Sequence, residues 1–269
     1  MITVEEYFDL TEDPFRISPN PRFLYLAPEV KEAITKCHYM TTGRIGPLYI
    51  YGPIGSGKTS ILKHLREGFV SNDQYTVAHI IAANIKTSNA FLRVIMNEFG
   101  VKTARAYDQS LDNFNQFLIG QYKDGCVPLL LVDEAQNMNL DTLRLIHFLL
   151  NFETSKEKLL QIILVGQNQL QARVTRYHEL ASRMFPIAMN AFSLDELQNM
   201  IKFRWAVAGG KKPPFSNENY KIIFTCSKGL PRDTVKMCGE ALRYMMSQDK
   251  TSVTQDELLA IAKGLNLAS

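Results

Sequence analysis

Apolar residues follow two spacings along this chain. Short apolar runs stand at 47–51, 76–82, 127–132 and 161–166. Between them, apolar positions recur every three or four residues. Short runs bounded by turn residues predict buried strands, and the three-to-four spacing predicts amphipathic helices. Helices are expected over 28–40, where Pro28 stands near the start as helices tolerate, and from Gly57 onward. On the second, Ile61, Leu62, Leu65 and Phe69 share one face, with Lys63, Arg66 and Glu67 outside it. Further helices are expected from a cap at Ser88 to about Phe99, over 111–123 and over 140–152. The run 127–132 is unbroken in apolarity, which suits a parallel strand covered on both faces. Strands alternating with helices predict an α/β fold with a doubly wound parallel sheet.

The pattern changes near residue 190. From Ser193 onward it is only helical, with turns at 209–214 and 228–231. This predicts an α/β domain over 46–190 and a small all-helical domain over 191–269. The N-terminal stretch 1–45 is aromatic and proline-rich, with Tyr7, Phe8, Pro14, Phe15, Pro19, Pro21 and Phe23. It is expected to run extended and then helical, packed on the 46–190 core.

Composition narrows the class. The 269 residues are 46% hydrophobic and 21% charged, an ordinary globular mixture long enough to bury a core. With 30 Lys+Arg against 27 Asp+Glu the net charge is +3, which excludes a polyelectrolyte but not a local basic face. The surplus sits in 190–269, where 11 basic residues face 8 acidic ones. No apolar run approaches the ~20 residues of a spanning helix. The start of the chain lacks the basic and apolar regions of a signal peptide. Cys37, Cys126, Cys226 and Cys238 are widely spaced and form no CxxC pair, as buried free thiols in a reducing compartment do. A cytoplasmic protein without a membrane segment is expected.

Chemistry enters at Gly52-Pro53-Ile54-Gly55-Ser56-Gly57-Lys58-Thr59, followed by Ser60. This is GxxxxGK[ST] between an expected strand and an expected helix, the setting of a phosphate-binding loop. Glycines let backbone N–H groups turn toward phosphate oxygens, and the helix N-terminus adds its positive end. Lys58 is expected on the β- and γ-phosphates of ATP and the Thr59 hydroxyl on Mg²⁺. About 75 residues later, on the count along the chain, Leu129-Leu130-Leu131-Val132 runs into Asp133 and Glu134. Asp133 is expected to hold Mg²⁺ through water, and Glu134 to polarise an attacking water, which points to hydrolysis. Gln167, just past the run 161–166, is expected to sense the γ-phosphate or its water. Among Arg173, Arg176 and Arg183, the last is the preferred arginine finger and Arg176 the second choice. Arg232, at the start of a C-terminal helix, is expected to contact the nucleotide from the helical domain.

The set Gly52–Thr59, Asp133-Glu134-Ala135-Gln136, Asn151-Phe152-Glu153, Leu164-Val165-Gly166-Gln167 and Gly229-Leu230-Pro231-Arg232 resembles the AAA+ ATPases of the ExeA-like group. Tyr7-Phe8, Pro14-Phe15, Phe23-Leu24-Tyr25 and Phe203-Arg204 fit the same pattern, so the resemblance covers nearly the whole chain. It implies an αβα P-loop domain followed by a helical lid. It also implies a homo-oligomeric ring or filament with ATP at subunit interfaces and an arginine donated by the neighbour. By the motif match, Lys58 and Thr59 are the phosphate-loop pair, Asp133 and Glu134 the metal and catalytic acids, and Arg232 the lid sensor. Gln167 stands where related ATPases often carry asparagine, threonine or serine. Two branches fit. One resembles transposition-regulator ATPases of mobile elements, which coat duplex DNA and recruit or stimulate a transposase. The other comprises cytoplasmic ATPases of secretion or cell-envelope assembly. A chain ending at Ser269, just past the lid, is expected in the first. A nucleotide-binding scaffold without turnover is the third reading, and Glu134 speaks against it. A filament on DNA needs a few Lys or Arg aimed at phosphates. Lys86, Lys102, Arg105 and Lys123 are the candidates.

Overall fold

The computed structural model describes residues 2–18, 20–82 and 85–267. Pro19, within the stretch expected to run extended, lies outside the described residues. The chain divides into two compact units. One comprises Lys31–Pro53 and Ile61–Met189, and the other Met1–Val30, Ile54–Ser60 and Asn190–Ser269. At its N-terminal end this division differs from the 1–45 and 46–190 boundaries, because the chain through Val30 groups with the C-terminal helices.

The helices, in chain order, are α1 Val4–Phe8, α2 Pro28–Thr42, α3 Lys58–Val70, α4 Ser88–Glu98, α5 Tyr107–Lys123, α6 Leu140–Leu149, α7 Asn168–Arg176, α8 His178–Ala181, α9 Leu194–Val207, α10 Asn217–Ser227, α11 Pro231–Ser247 and α12 Gln255–Gly264. The strands are β1 Leu48–Tyr51, β2 Tyr75–Ile81, β3 Val127–Asp133, β4 Gln161–Gly166 and β5 Phe185–Ala188.

The first unit holds the sheet, in the order β2-β3-β4-β1-β5 with every pair parallel. All of β3 and all of β4 are buried, as strands covered on both faces must be. Helix α4 packs on β2, α5 on β3, and α7 on β1 and β4. Pro128 sits inside β3 without breaking it. The Val127 N–H points to β2, donating to the Gln74 carbonyl at 2.7 Å, so position 128 faces the β4 side. Pairing with β4 begins only at Leu129, so the missing N–H of Pro128 costs no ladder bond.

Strand β5 was not expected from the sequence. It has four residues, three of them exposed, and Pro186 interrupts any apolar period. It forms because it is an edge. The N–H of Phe185 donates to Pro47 and that of Met189 to Tyr51, both toward β1. Position 186 therefore points outward, where a proline forfeits nothing, and its outward carbonyl accepts from Lys36 Nζ at 3.3 Å.

Several helix ends shift from their expected places. The cap of α4 is Thr87, whose side chain accepts from the Ala90 N–H, not Ser88. Helix α5 begins four residues early because its N-cap, Ala106, offers no side-chain acceptor to mark the start. Helix α6 stops at Leu149 rather than 152. The short helices α7 and α8 had no periodicity long enough to be read.

In the second unit, α9 to α12 pack together with α1 against α11. Helix α1 replaces part of the extended run expected there. Thr3 and Glu6 form a capping box that nucleates it. The rest of the N-terminal segment is held by aromatic contacts and by Arg204. Phe8 meets Trp205 edge-on at 5.8 Å, and Phe15 lies near Trp205 and Phe215. The Arg204 guanidinium donates to the carbonyls of Pro14, Phe23 and Arg16 and lies over the Phe23 ring at 4.9 Å. Burial lowers its pKa to about 10.

Candidate active site

The phosphate loop leaves β1 at Gly52 and Pro53 and leads into α3. Gly52 must be glycine, since a Cβ there would stand 2.1 Å from the Met189 carbonyl oxygen. Gly55 and Gly57 take φ of +85° and +92°, the left-handed region that frees backbone N–H groups to face one centre. Ile54 is exposed, while Ser56 and Lys58 are buried. Lys58 Nζ donates to Ser56 Oγ at 3.3 Å, and the Ser60 N–H donates to the Gly57 carbonyl at 2.9 Å. Thr59 stands half-buried in the first turn of α3. Arg232 opens α11, with its N–H donating to the Gly55 carbonyl at 3.1 Å and its side chain exposed. Its Cβ would lie 3.1 Å from a Cβ on Gly55, so these two backbones approach closely.

The carboxyl ends of the parallel strands carry the second group. Register places Tyr51 beside Gly166, and β3 ends beyond Val132 ↔ Leu164 on the same edge. The strand leading to the phosphate loop, the strand ending in the acids and the strand preceding Gln167 are thus consecutive neighbours, the edge where open α/β sheets bind ligands. Asp133 is buried and its Oδ1 accepts the Glu134 N–H at 2.8 Å. Glu134 takes φ +53°, a left-handed conformation uncommon for a residue with a Cβ, which turns the chain out of the strand. Gln136 then returns inward. Its Nε2 donates to Glu134 Oε2 at 2.5 Å, and its Oε1 accepts the Gln167 N–H at 3.0 Å. In the sequence Gln136 stands only within the Asp133-Glu134-Ala135-Gln136 motif, with no role assigned to it.

Among the described residues, no group of three or more His, Cys, Asp and Glu could hold a metal by itself. Thr59 carries a hydroxyl and Asp133 a carboxylate, each a hard oxygen donor of the kind Mg²⁺ takes.

The arginines separate clearly. Arg173 is engaged, with Nη1 donating to the Met138 carbonyl at 2.6 Å. Arg176 ends α7 and is exposed. Arg183 is exposed and donates to Asn151 Oδ1 at 2.6 Å. It precedes β5, whose Phe185 pairs with Leu48 at the start of β1, so Arg183 lies at the amino edge of the sheet. Asp133 and Glu134 lie at the opposite, carboxyl edge.

The four basic DNA candidates are exposed but not brought together. Lys86 follows β2 at the carboxyl edge, and its carbonyl accepts from Asn139 Nδ2. Lys123 precedes β3 at the amino edge. The two parallel strands are seven residues long, ~23 Å at ~3.3 Å per residue. Lys102 and Arg105 stand on the α4–α5 loop, which Arg93, Ser110 and Asn113 tie down.

Residues 42–174 match the family model of the AAA domain. The chain is 29% identical over 242 residues to the General secretion pathway protein A of Aeromonas hydrophila, covering 88% of this chain and 44% of that protein. It thus spans less than half the length of this relative. Among solved structures, a chain of Drosophila ORC bound to DNA is similar with a TM-score of 0.70 at 17% identity, covering 99% of this chain and 67% of that one. Cdc6p of Pyrobaculum aerophilum gives 0.67 at 15% identity, covering 91% and 68%. The RuvB Holliday junction branch migration motor of Thermotoga maritima gives 0.60 at 15% identity, covering 89% and 69%. The α/β fold with a parallel sheet expected from the sequence is the fold found, and these proteins share it. No helix among the described residues is long and apolar enough to cross a membrane.

Proposed function

We propose that this chain is an AAA+ ATP hydrolase that works as a homo-oligomer. The observation that carries this reading is the shared carboxyl edge of β3, β4 and β1, where the two acids, Gln167 and the strand entering GxxxxGK[ST] stand on neighbouring strands. Residues 52–60 bind the phosphates, Lys58 neutralises the β- and γ-phosphates, and Thr59 and Asp133 hold Mg²⁺, which neutralises phosphate charge when bound. Glu134 accepts the proton of the attacking water, and Gln167 orients that water or the γ-phosphate. Arg232 contacts the nucleotide from α11. Arg183, at the other edge of the sheet from the acids, serves the nucleotide of a neighbouring subunit, with Arg176 as second choice. Glu134→Gln tests the acid. ATP binding persists and turnover falls by ~100-fold or more. Unchanged turnover would sink the assignment.

The work we propose for this ATPase is the regulation of DNA transposition, by ATP-dependent assembly on duplex DNA in the cytoplasm and recruitment or stimulation of a transposase. Support comes from the sequence resemblance and from a fold shared with an ORC solved on DNA and with a branch migration motor. Lys86, Lys102, Arg105 and Lys123 remain the proposed phosphate contacts, and their spread favours a path along the subunit over a single patch. A second reading, an ATPase of a secretion or cell-envelope system, is favoured by the secretion relative. Electron microscopy with duplex DNA and a slowly hydrolysed ATP analogue separates them. Nucleotide-dependent rings or filaments on DNA support the first reading. Failure to associate with DNA at low salt leaves the second.

A further inference from the structure

We propose that Gln136 is a positioning residue that locks the Glu134 carboxylate to the tip of β4. The inference rests on the hydrolase reading above and adds a residue which that reading does not need. A backbone N–H only donates, so the carboxamide oxygen of Gln136 must face the Gln167 N–H. Its NH₂ group then faces Glu134 Oε2. Both ends of one buried amide are thereby committed, and the amide cannot flip without losing both bonds. Gly166 makes room for it, since a Cβ there would stand 2.8 Å from Gln136 Oε1 and 3.0 Å from its N.

The chain that holds Glu134 needs this brace. Glu134 stands at φ +53° in the first residue after β3, at the head of a 3-10 turn over Ala135–Asn137. The Gln136 bond fixes one carboxylate oxygen and leaves Oε1 to accept from a water. It also joins that carboxylate to the backbone of Gln167, proposed to sense the γ-phosphate. A displacement at the tip of β4 therefore moves the carboxylate of Glu134 by way of one side chain. The charged groups on the elements packed around this amide are Asp133 on β3 and Arg173 and Arg176 on α7.

One further variant tests it beside Glu134→Gln. Gln136→Leu removes both bonds at similar size, and kcat for ATP falls by ~10- to 100-fold through misplacement of the base. The KM for ATP, the binding of a fluorescent ADP analogue and the melting temperature stay within about twofold or a few degrees of wild type. A Gln136→Leu kcat within twofold of wild type, or a fall in kcat accompanied by an equal loss of ADP-analogue binding or by unfolding, overturns the proposal while Glu134→Gln is still dead. Survival of turnover in Glu134→Gln instead overturns the hydrolase assignment.

Discussion

Glycine 52 shows how much a single atom decides. Gly52→Ala would drive a methyl group to 2.1 Å from the Met189 backbone oxygen, which cannot rotate away. About 3 kcal/mol of stability is lost, measured by urea unfolding, and nucleotide binding falls with it. Lys58→Ala acts differently, abolishing ATP binding with the melting temperature nearly unchanged. Half-buried histidines contribute to the pH response. Burial lowers the pKa values of His38 and His79, with His64 and Arg66 respectively adding to the effect. Stability is complete above the ordinary value of 6.5 and declines as the pH falls below it, because the unfolded chain takes up protons first. Melting temperature should drop between pH 7 and 5.5, and His79→Gln should flatten that slope. The thiols are quieter. Burial pushes Cys37 up to about 12 and raises Cys238 further, so a thiol reagent at neutral pH should label neither until the protein unfolds.

At the scale of elements, helix starts carry their own instructions. Helices α1, α9, α10 and α12 each open with a capping box, at Thr3, Ser193, Ser216 and Thr254. Ser193→Ala should cost about 1 kcal/mol in urea unfolding. Both partners of a box lie three residues apart, a local signal, but at Thr3 the aromatic, proline-rich run that follows reads as extended and hides it. Strands β3 and β4 are legible for a related reason, since burial on both faces requires an unbroken apolar run. Strand β5 is not, because an edge strand tolerates Pro186 and three exposed positions. Helix α5 starts where no cap residue stands, and α7 and α8 are too short for a period to emerge. The site divides the same way. Lys58, Thr59, Asp133 and Glu134 announce themselves by fixed spacing to a glycine turn or a strand end. Gln136 does not, because its importance lies in reaching β4, a neighbour that the sequence places about 30 residues away.

At the scale of the molecule, the role proposed for Arg183 depends on a second subunit. Its side chain lies at the opposite edge of the sheet from Glu134, held by Asn151. Arg183→Ala should therefore bind ATP normally yet fail to turn it over under conditions where oligomers form. Mixing it with Glu134→Gln, itself inactive, should restore part of the activity, because one variant supplies the acid and the other the arginine. No recovery on mixing would place the arginine elsewhere. Self-assembly of the kind proposed would bring a hazard, since subunits held at high local concentration could also join through their sheet margins. Strand β5 answers it. Pro186 offers an incoming strand no hydrogen, and Lys36 already occupies its oxygen. The margin is thereby closed at its middle to a strand from another copy. Pro186→Thr combined with Lys36→Ala should leave the fold intact yet scatter light on concentration, as free sheet margins join copy to copy.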